Sequence, residues 1–295
     1  MTRARAWAMA ARPATLTAAA TPVIVGSSLA ILDDSLRIDA LIVALLSAVA
    51  IQVGVNFAND VADARRGADN PSRVGPPRVV AEGILTDRQV TRGTWIAFAI
   101  ATAGGVYLTA IAGWVIVIIG VVSIAAALTY TGGPLPYGYH GLGEVSVFVF
   151  FGLVATVGSR YIHDRSAPME AWLLAVPIGL LITAILVANN VRDIASDEAA
   201  DKRTLAVLMG RRRSSWFYAS LLIGAAGLTA VFGAAELTPR WSALGLLAFW
   251  EAPRLIRIVL PANGPSLIAA LEGTARLQAV FGALVTIGIV MENSL

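Results

Sequence analysis

The chain has 295 residues, of which 57% are hydrophobic and 14% are charged, and its formal net charge is +3 at pH 7. Soluble domains carry about a quarter charged residues, so this composition excludes an ordinary water-soluble protein and indicates an integral membrane protein. The absence of cysteine excludes disulfide bonds, thiolate catalysis and thiolate metal sites. Nucleic acid is a poor match as a partner, because no basic soluble module is available to bind it.

Long segments without charged side chains predict the membrane-spanning helices. A helix needs about 20 mainly apolar residues to cross a bilayer. Residues 93–143 carry no Asp, Glu, Lys or Arg, and they are long enough for two helices with a turn near Ala112 and Gly113. The predicted spans, in chain order, are 13–32, 40–59, two within 93–143, 145–159, 171–191, 214–235, 241–260 and 277–291.

These spans predict an all-α, polytopic membrane protein with nine transmembrane helices that form one intramembrane domain over residues 1–295. The first span lacks the short apolar core and small-residue cleavage site of a signal peptide, so it is predicted to be a permanent helix. The eighth span is the weakest, because Glu251, Arg254 and Arg257 interrupt it.

The distribution of basic residues predicts the orientation. With nine helices, one side of the membrane carries 18 of the 22 Lys and Arg residues, and the other carries Arg37, Arg160, Arg165 and Arg240. Loops on the cytoplasmic side are enriched in Lys and Arg. The N-terminus and the loops at 60–92 and 192–213 are therefore predicted to face the cytoplasm, in the plasma or inner membrane of the cell.

Two segments 130 residues apart resemble each other. Residues 58–63 read Ala-Asn-Asp-Val-Ala-Asp, and residues 188–193 read Ala-Asn-Asn-Val-Arg-Asp. Each segment ends a helix predicted to enter the cytoplasm, the second and the sixth. The pattern suggests a four-helix unit used twice, followed by a ninth helix.

The second predicted helix ends in a cluster of acidic and amide side chains. Its members recur at spacings of three, four and seven residues, which places them on one face of a helix. Gly67 and Asp69 follow in a predicted turn, and Arg65 and Arg66 add positive charge. The residues of this first cluster are Asn56, Asn59, Asp60 and Asp63.

The sixth predicted helix ends in a second cluster of the same kind. Asn189, Asp193 and Asp197 are four residues apart and share one face, with Asn190 and Arg192 beside them. A short polar segment follows at 201–204, Asp-Lys-Arg-Thr, which contains Lys202 and Arg203. Lys202 is the only lysine of the chain, since the other basic residues are all arginine.

Either cluster alone is compatible with an ordinary solvated helix end. However, the helix dipole disfavours a carboxylate at a helix C-terminus by about 0.3–1 kcal/mol, and ionisable groups retained beside a membrane usually have a function. Two such faces in one chain, each flanked by arginine, favour a functional interpretation.

Facing carboxylate clusters are suited to a magnesium-bound diphosphate. Mg²⁺ prefers oxygen ligands and is commonly held by one or two carboxylates together with substrate phosphates. Arginine and lysine can neutralise the remaining phosphate charge. Lys202 is a candidate for such a contact, although a solvated lysine is the alternative. A diphosphate at the membrane surface with its tail among apolar helices describes a polyprenyl diphosphate.

These motifs resemble the UbiA superfamily of intramembrane prenyltransferases, in which two Asp-rich motifs lie at the cytoplasmic ends of the second and sixth of nine helices. The pattern is most similar to the branch that prenylates 1,4-dihydroxy-2-naphthoate in menaquinone biosynthesis. Gly67 stands where many relatives have a fourth acid, Asp69 is displaced by two positions, and Tyr130-x-x-x-Pro134 replaces a Tyr-x-x-x-Lys pattern. The supporting segments are 59–69, 130–136, 143–144, 189–205 and 273–278.

The resemblance implies a UbiA-type bundle that transfers a polyprenyl group to the ring carbon bearing the carboxylate, with loss of CO₂ and diphosphate, to give demethylmenaquinone. It implies that Asp60, Asp63, Asp193 and Asp197 bind Mg²⁺ and are catalytic together with Lys202. Tyr130, Arg276 and Gln278 are the candidates for holding the acceptor. The implied substrate-binding residues are Asn56, Asn59, Arg65, Arg66, Asp69, Tyr130, Asn189, Asn190, Arg192, Arg203, Arg276 and Gln278.

Two other functions stay open from the sequence. A secondary transporter could also have nine helices, a possible repeat and acidic residues in the membrane, although transporter sites lie near the midplane and these acids lie at a predicted helix end. A sister prenyltransferase acting on another aromatic acceptor, such as 4-hydroxybenzoate, is the second alternative. No obligate protein partner is evident from the sequence.

Overall fold

The computed structural model describes residues 2–67, 77–134, 136–261 and 266–294. Within these ranges the chain is helical and contains no β-strand. Short 3₁₀ or π segments occur at Leu29–Ile31, Tyr137–His140, Phe148–Val154 and Arg240–Glu251. The α-helices are α1 (Arg3–Ala11), α2 (Pro13–Ser28), α3 (Ile38–Arg65), α4 (Asp87–Ala112), α5 (Val115–Thr131), α6 (Gly143–Val147), α7 (Ala155–Asp164), α8 (Met169–Ala199), α9 (Leu205–Ala234), α10 (Ala252–Val259) and α11 (Ser266–Ser294).

The predicted all-α, multi-pass architecture is confirmed. In the described ranges, seven helical stretches are long and apolar enough to cross a membrane, and α5 is a shorter apolar helix. The stretch Gly143–Asp164 joins α6, the π segment and α7 into one of the seven. The predicted turn after Ala112 is also present: α4 ends there, and Gly113 has a φ of 91°, in the region that favours glycine.

Several helices extend beyond the predicted spans. Helix α3 continues to Arg65 and α8 continues to Ala199, so both acidic clusters lie within helices. The predicted span at 241–260 is divided between a 3₁₀ segment and α10. Pro253 lies in the first turn of α10, where its missing N–H would have had no helical partner.

The packing of the helices places α8 at the centre. Helix α8 packs against α9 and α11, and α11 packs in turn against α2 and the 3₁₀ segment Arg240–Glu251. The largest hydrophobic core is formed mainly by residues of α8, α9 and α11. On the other side, α3 packs against α2 and α4. The two helices that carry the acidic clusters therefore belong to opposite halves of one bundle.

We expect a Gly26→Ala substitution to destabilise the protein by about 1–3 kcal/mol, the usual cost of overpacking. Gly26 lies where α2 touches α7, and a Cβ at this position would be 2.1 Å from the carbonyl oxygen of Thr156. Because backbone cannot move aside easily, the two helices must separate. Thermal unfolding in detergent measures the change. Gly227→Ala in α9 is the matched control, since its Cβ would meet nothing within 4 Å. Equal stability of the two variants would contradict this account.

Candidate functional site

Lys202 joins the two acidic clusters. Its Nζ lies 4.0 Å from Asp63 Oδ2 on α3 and 3.7 Å from Asp197 Oδ1 on α8. The Lys202 backbone N–H also donates a hydrogen bond of 2.8 Å to the Asp197 carbonyl, which fixes the chain just after α8. The two predicted clusters therefore face each other across one site, with the single lysine between them.

Asp63 is buried and is contacted from three sides. Tyr139 Oη donates a hydrogen bond of 2.7 Å to Asp63 Oδ1, and an Arg78 guanidinium nitrogen lies 3.2 Å from Asp63 Oδ2. Burial raises the pKa of the Tyr139 phenol, and the negative charge of Asp63 raises it further. Tyr139 therefore stays protonated and acts as a donor to the carboxylate.

Asp60 is buried on the same helix and has a different environment. It is 2% exposed, and its Oδ1 has no hydrogen-bond partner. The backbone amides of Val79 and Val80 and the positive charge of Arg12 lie close enough to stabilise the charged carboxylate. Asp60 thus offers one oxygen that is free for a further ligand.

The second cluster is held together by Arg192. Its guanidinium donates two hydrogen bonds, of 2.8 and 2.6 Å, to the Asp193 carboxylate and a third, of 2.9 Å, to Asn189 Oδ1. Asn190 Nδ2 donates to Glu144 Oε1 at 2.9 Å. Adjacent residues on α8 therefore fix each other, and Asn190 ties α8 to α6.

Other predicted residues line the same site. Asn59 Oδ1 accepts a 2.7 Å hydrogen bond from Thr131, which connects α3 to the end of α5. Arg66 donates to the Gly133 carbonyl at 2.7 Å and lies over the Tyr139 ring, 5.0 Å from its centroid. The Arg203 backbone N–H donates to the Tyr139 carbonyl, but its guanidinium is exposed and pairs with Asp201 at 3.4 Å. Thr131, Gly133 and Tyr139 therefore connect this part of the chain to both clusters.

A cavity of about 330 Å³ opens beside the clusters. Its lining includes Asn56, Asn59 and Asn189 from the two clusters and Tyr130 from α5. Most of the remaining lining is alanine, valine, leucine, isoleucine and phenylalanine. The cavity therefore joins a polar region to an apolar interior, as a substrate with a charged head and a hydrocarbon tail requires.

Three predicted substrate-binding residues lie elsewhere. Arg65 donates two hydrogen bonds, of 2.6 and 2.7 Å, to Asp87 at the surface. Arg276 is 62% exposed and pairs with Glu251, while Gln278 is fully buried beside Thr21. None of the three lines the cavity. The predicted contribution of Asp69 lies outside the described residues.

The sequence interpretation missed several residues that contact the clusters. Tyr139, Thr131 and Arg78 reach Asp63 or Asn59 from loops or from the end of α5. Arg12 lines the cavity from the junction of α1 and α2. No spacing rule identifies such contacts, because the partners are far apart in sequence.

The carboxylates suit a metal ion that is completed by a phosphate. The described residues contain no group of three or more Asp, Glu, His or Cys side chains arranged as a closed metal site. Asp60 nevertheless has an oxygen without a partner, and Asp63 and Asp197 face each other across Lys202. Mg²⁺ is usually held by one or two carboxylates with phosphate and water, so these oxygen donors fit it.

The comparison with known families agrees with the resemblance that the sequence motifs indicated. The UbiA prenyltransferase family is matched over residues 19–270, which is most of the chain. The chain belongs to this family. It is 37% identical to the 1,4-dihydroxy-2-naphthoate octaprenyltransferase of Mycobacterium leprae, over 98% of this chain and 97% of the relative. The Mycobacterium tuberculosis and Escherichia coli proteins of the same name are 39% and 38% identical, over 95% and 87% of this chain and 94% and 84% of their own.

Solved structures with the same fold are more distant in sequence. A UbiA homolog from Archaeoglobus fulgidus bound to GPP and Mg²⁺ superposes with a TM-score of 0.67 at 13% identity and covers 98% of this chain and 100% of its own. The apo structure of a UbiA homolog from Aeropyrum pernix K1 also gives 0.67, at 16% identity, and covers 92% and 97%. These structures confirm the fold.

Proposed function

We propose that the protein transfers a polyprenyl group from a polyprenyl diphosphate to 1,4-dihydroxy-2-naphthoate in menaquinone biosynthesis. The observation that carries the proposal is the pair of acidic clusters, joined by Lys202, beside an apolar cavity. Relatives of that name, similar over almost the whole chain, support the acceptor. A bond forms between the first prenyl carbon and the ring carbon that bears the carboxylate. Diphosphate and CO₂ leave, and the product is the quinol of demethylmenaquinone.

The residues of the two clusters have different proposed roles in binding the metal and the diphosphate. Asp60, Asp63, Asp193 and Asp197 would hold Mg²⁺, which when bound acts as a Lewis acid on the diphosphate leaving group. Lys202 and Arg78, both beside Asp63, neutralise negative charge at the same place. Arg192 and Tyr139 hold the carboxylates of Asp193 and Asp63 in position.

Further cations and amides surround the diphosphate position. The Arg66 guanidinium lies over the Tyr139 ring, and Arg203 is placed beside Tyr139 by its backbone N–H. Asn59, Asn189 and Asn190 orient the cluster ends. The apolar cavity holds the prenyl tail and excludes water from the reacting carbon, which protects a cation-like transition state from hydrolysis.

The orientation of the chain is part of the proposal. We infer nine membrane spans, with α5 and the stretch from the 3₁₀ segment Arg240–Glu251 through α10 added to the seven long ones, in a single domain. The N-terminus and the active site then face the cytoplasm of the cell membrane. The excess of Lys and Arg on that side supports the orientation.

A pair of single-cysteine variants tests this orientation. The chain has no cysteine, so Ala81→Cys and Ser166→Cys each introduce one thiol at an exposed position. In intact cells, we expect an impermeant maleimide to label the Ser166→Cys variant and not the Ala81→Cys variant. Both should be labelled after the membrane is permeabilised. The reversed pattern would overturn the orientation, and labelling of both in intact cells would overturn the span count between them.

The function is tested with purified protein in detergent. Wild type should prenylate 1,4-dihydroxy-2-naphthoate in the presence of Mg²⁺, and EDTA should stop the reaction. If product formed from 4-hydroxybenzoate and not from 1,4-dihydroxy-2-naphthoate, the prenyl-transfer reaction would stand and the proposed acceptor would be wrong. No turnover of any aromatic acceptor, together with substrate accumulation in proteoliposomes, would favour the transporter, because transport requires two compartments and prenyl transfer does not.

A further inference from the structure

The polar end of the cavity contains a niche that the reaction described above does not use. Gln52 and Asn56 lie on α3, about two turns and one turn before Asp60, with Thr15 and Arg12 facing them from the start of α2. All four residues line the cavity. The niche is therefore next to the carboxylate cluster, on the side of the cavity interior.

Hydrogen bonds fix which way the Gln52 amide points. The Thr15 hydroxyl donates its proton to the Arg12 carbonyl at 2.9 Å, so its oxygen acts as an acceptor for other groups. Gln52 Nε2 donates to that oxygen at 3.2 Å and to Asn56 Oδ1 at 3.4 Å. Asn56 Nδ2 donates hydrogen bonds to the Ala11 carbonyl and to the Thr15 hydroxyl oxygen. The NH₂ group of Gln52 must face these acceptors, and its carbonyl oxygen points the other way.

Gln52 Oε1 is an acceptor without a donor. The residue is 8% exposed, and this oxygen is buried without a hydrogen-bond partner. A buried carbonyl oxygen left unpaired lowers stability, so an unpaired one in a cavity wall marks a place where a ligand supplies the donor. A hydroxyl group is the simplest donor for this position.

Arg12 supplies a positive charge to the same niche. It joins α1 to α2 with a φ of 51°, in the left-handed region that few residues other than glycine adopt. This conformation persists only where the surrounding structure holds it, and it directs a guanidinium to the cavity wall next to Asp60. A guanidinium favours a carboxylate through paired N–H donors.

We propose that Arg12 and Gln52 recognise the aromatic acceptor, with Arg12 binding its carboxylate and Gln52 Oε1 accepting a hydrogen bond from a ring hydroxyl. This inference rests on the proposed function and names the residues that select the acceptor. In 1,4-dihydroxy-2-naphthoate the 1-hydroxyl is bonded internally to the neighbouring carboxylate, so the 4-hydroxyl is the donor left for Gln52. Arg12 then holds the acceptor against the cluster that binds the diphosphate, which brings the two reacting carbons together.

The experiment compares two acceptor analogues as competitive inhibitors of the detergent assay. One is 1-hydroxy-2-naphthoate, which lacks the 4-hydroxyl, and the other is 1,4-dihydroxynaphthalene, which lacks the carboxylate. Arg12→Met should weaken the binding of the carboxylate-bearing analogue by roughly 10–100-fold and leave the inhibition constant of the other analogue unchanged. Gln52→Leu should raise KM for the natural acceptor roughly 2- to 10-fold and leave the analogue without the 4-hydroxyl unaffected.

Matched variants separate recognition from folding. Arg5→Met changes an exposed arginine of α1, and Gln278→Leu changes a glutamine outside the cavity, so neither should alter the ratio of the two inhibition constants. Gln52→Glu keeps the acceptor oxygen and adds a negative charge. Of the two analogues, it should therefore weaken the binding of 1-hydroxy-2-naphthoate only. In the Gln52, Gln278 and Arg5 variants KM for the polyprenyl diphosphate should stay at the wild-type value. Arg12→Met also removes a positive charge near Asp60, so this variant is judged by the ratio of the two inhibition constants.

The outcomes distinguish this inference from the function itself. If wild type turns over and the ratio of the two inhibition constants is unchanged in both Arg12→Met and Gln52→Leu, the niche does not bind the acceptor. The proposed function would then remain intact. A shift in the ratio with Gln278→Leu instead would move acceptor recognition to α11. Absence of wild-type turnover would overturn both proposals.

Discussion

The Asp63→Asn variant is expected to lose prenyl transfer by about 10²–10³-fold, the loss typical of removing one preorganised electrostatic group from an active site. Asp63 Oδ2 faces Arg78 at 3.2 Å and Lys202 at 4.0 Å, and Asp63 Oδ1 accepts the Tyr139 hydrogen bond. Asparagine keeps the shape of the side chain and removes its charge. The expected loss therefore reports on charge. It is measured as kcat/KM for the polyprenyl diphosphate over a series of Mg²⁺ concentrations.

The same substitution at the other end of α3 provides the control. Asp39 pairs with Arg37 at 2.9 Å, and both side chains are well exposed. Exposed ion pairs contribute about 0–1 kcal/mol, so Asp39→Asn should keep wild-type turnover. If Asp63→Asn kept turnover close to that of Asp39→Asn, the first cluster would have no part in catalysis. If the Asp63→Asn variant lost both turnover and thermal stability, we expect that excess Mg²⁺ would restore neither of them.

The helices could be predicted from the sequence because their length is set by the bilayer. Uncharged runs of about 20 residues are visible without any tertiary information, and Gly113 marks the turn between α4 and α5. Helix α1 was not predicted, since it is short and carries two arginines in its first turn. It is held by contacts such as Trp7 against Phe57, with ring centroids 5.3 Å apart, which the sequence does not show.

The two acidic clusters could be predicted because their spacing is local. Residues three, four and seven apart share a helix face wherever the helix lies. Tyr139 and Asp63 are 76 residues apart, and only packing brings them together. Arg276 and Gln278 illustrate the converse: they are two residues apart on α11, so they point to different sides of it and could not both face one site. The internal repeat stays a prediction.

The Lys202→Met variant is expected to lower kcat/KM for the polyprenyl diphosphate by roughly 10–100-fold, the loss associated with a hydrogen bond to a charged group. Lys202 is 15% exposed and is shared by Asp63 and Asp197 at 4.0 and 3.7 Å. When a diphosphate enters, this ammonium can contact its oxygens as a point charge. Lys202→Arg keeps the charge and should keep much of the rate, although its planar geometry differs.

Removing Lys202 should also change how the protein responds to Mg²⁺ before any substrate binds. Without the ammonium, Asp63 and Asp197 face each other with no shared cation, so their repulsion destabilises the folded protein and favours a divalent ion between them. Mg²⁺ should therefore raise the unfolding temperature more in Lys202→Met than in wild type or in Lys202→Arg, in the absence of diphosphate. An equal rise in all three would mean that the lysine and the metal do not compete for the same carboxylates. Because Lys202 is the only lysine, acylation of its amine provides an independent measurement of the same exchange. We expect a polyprenyl diphosphate with Mg²⁺ to protect this side chain, since the proposed site would transfer its ammonium from the two carboxylates to the phosphate oxygens.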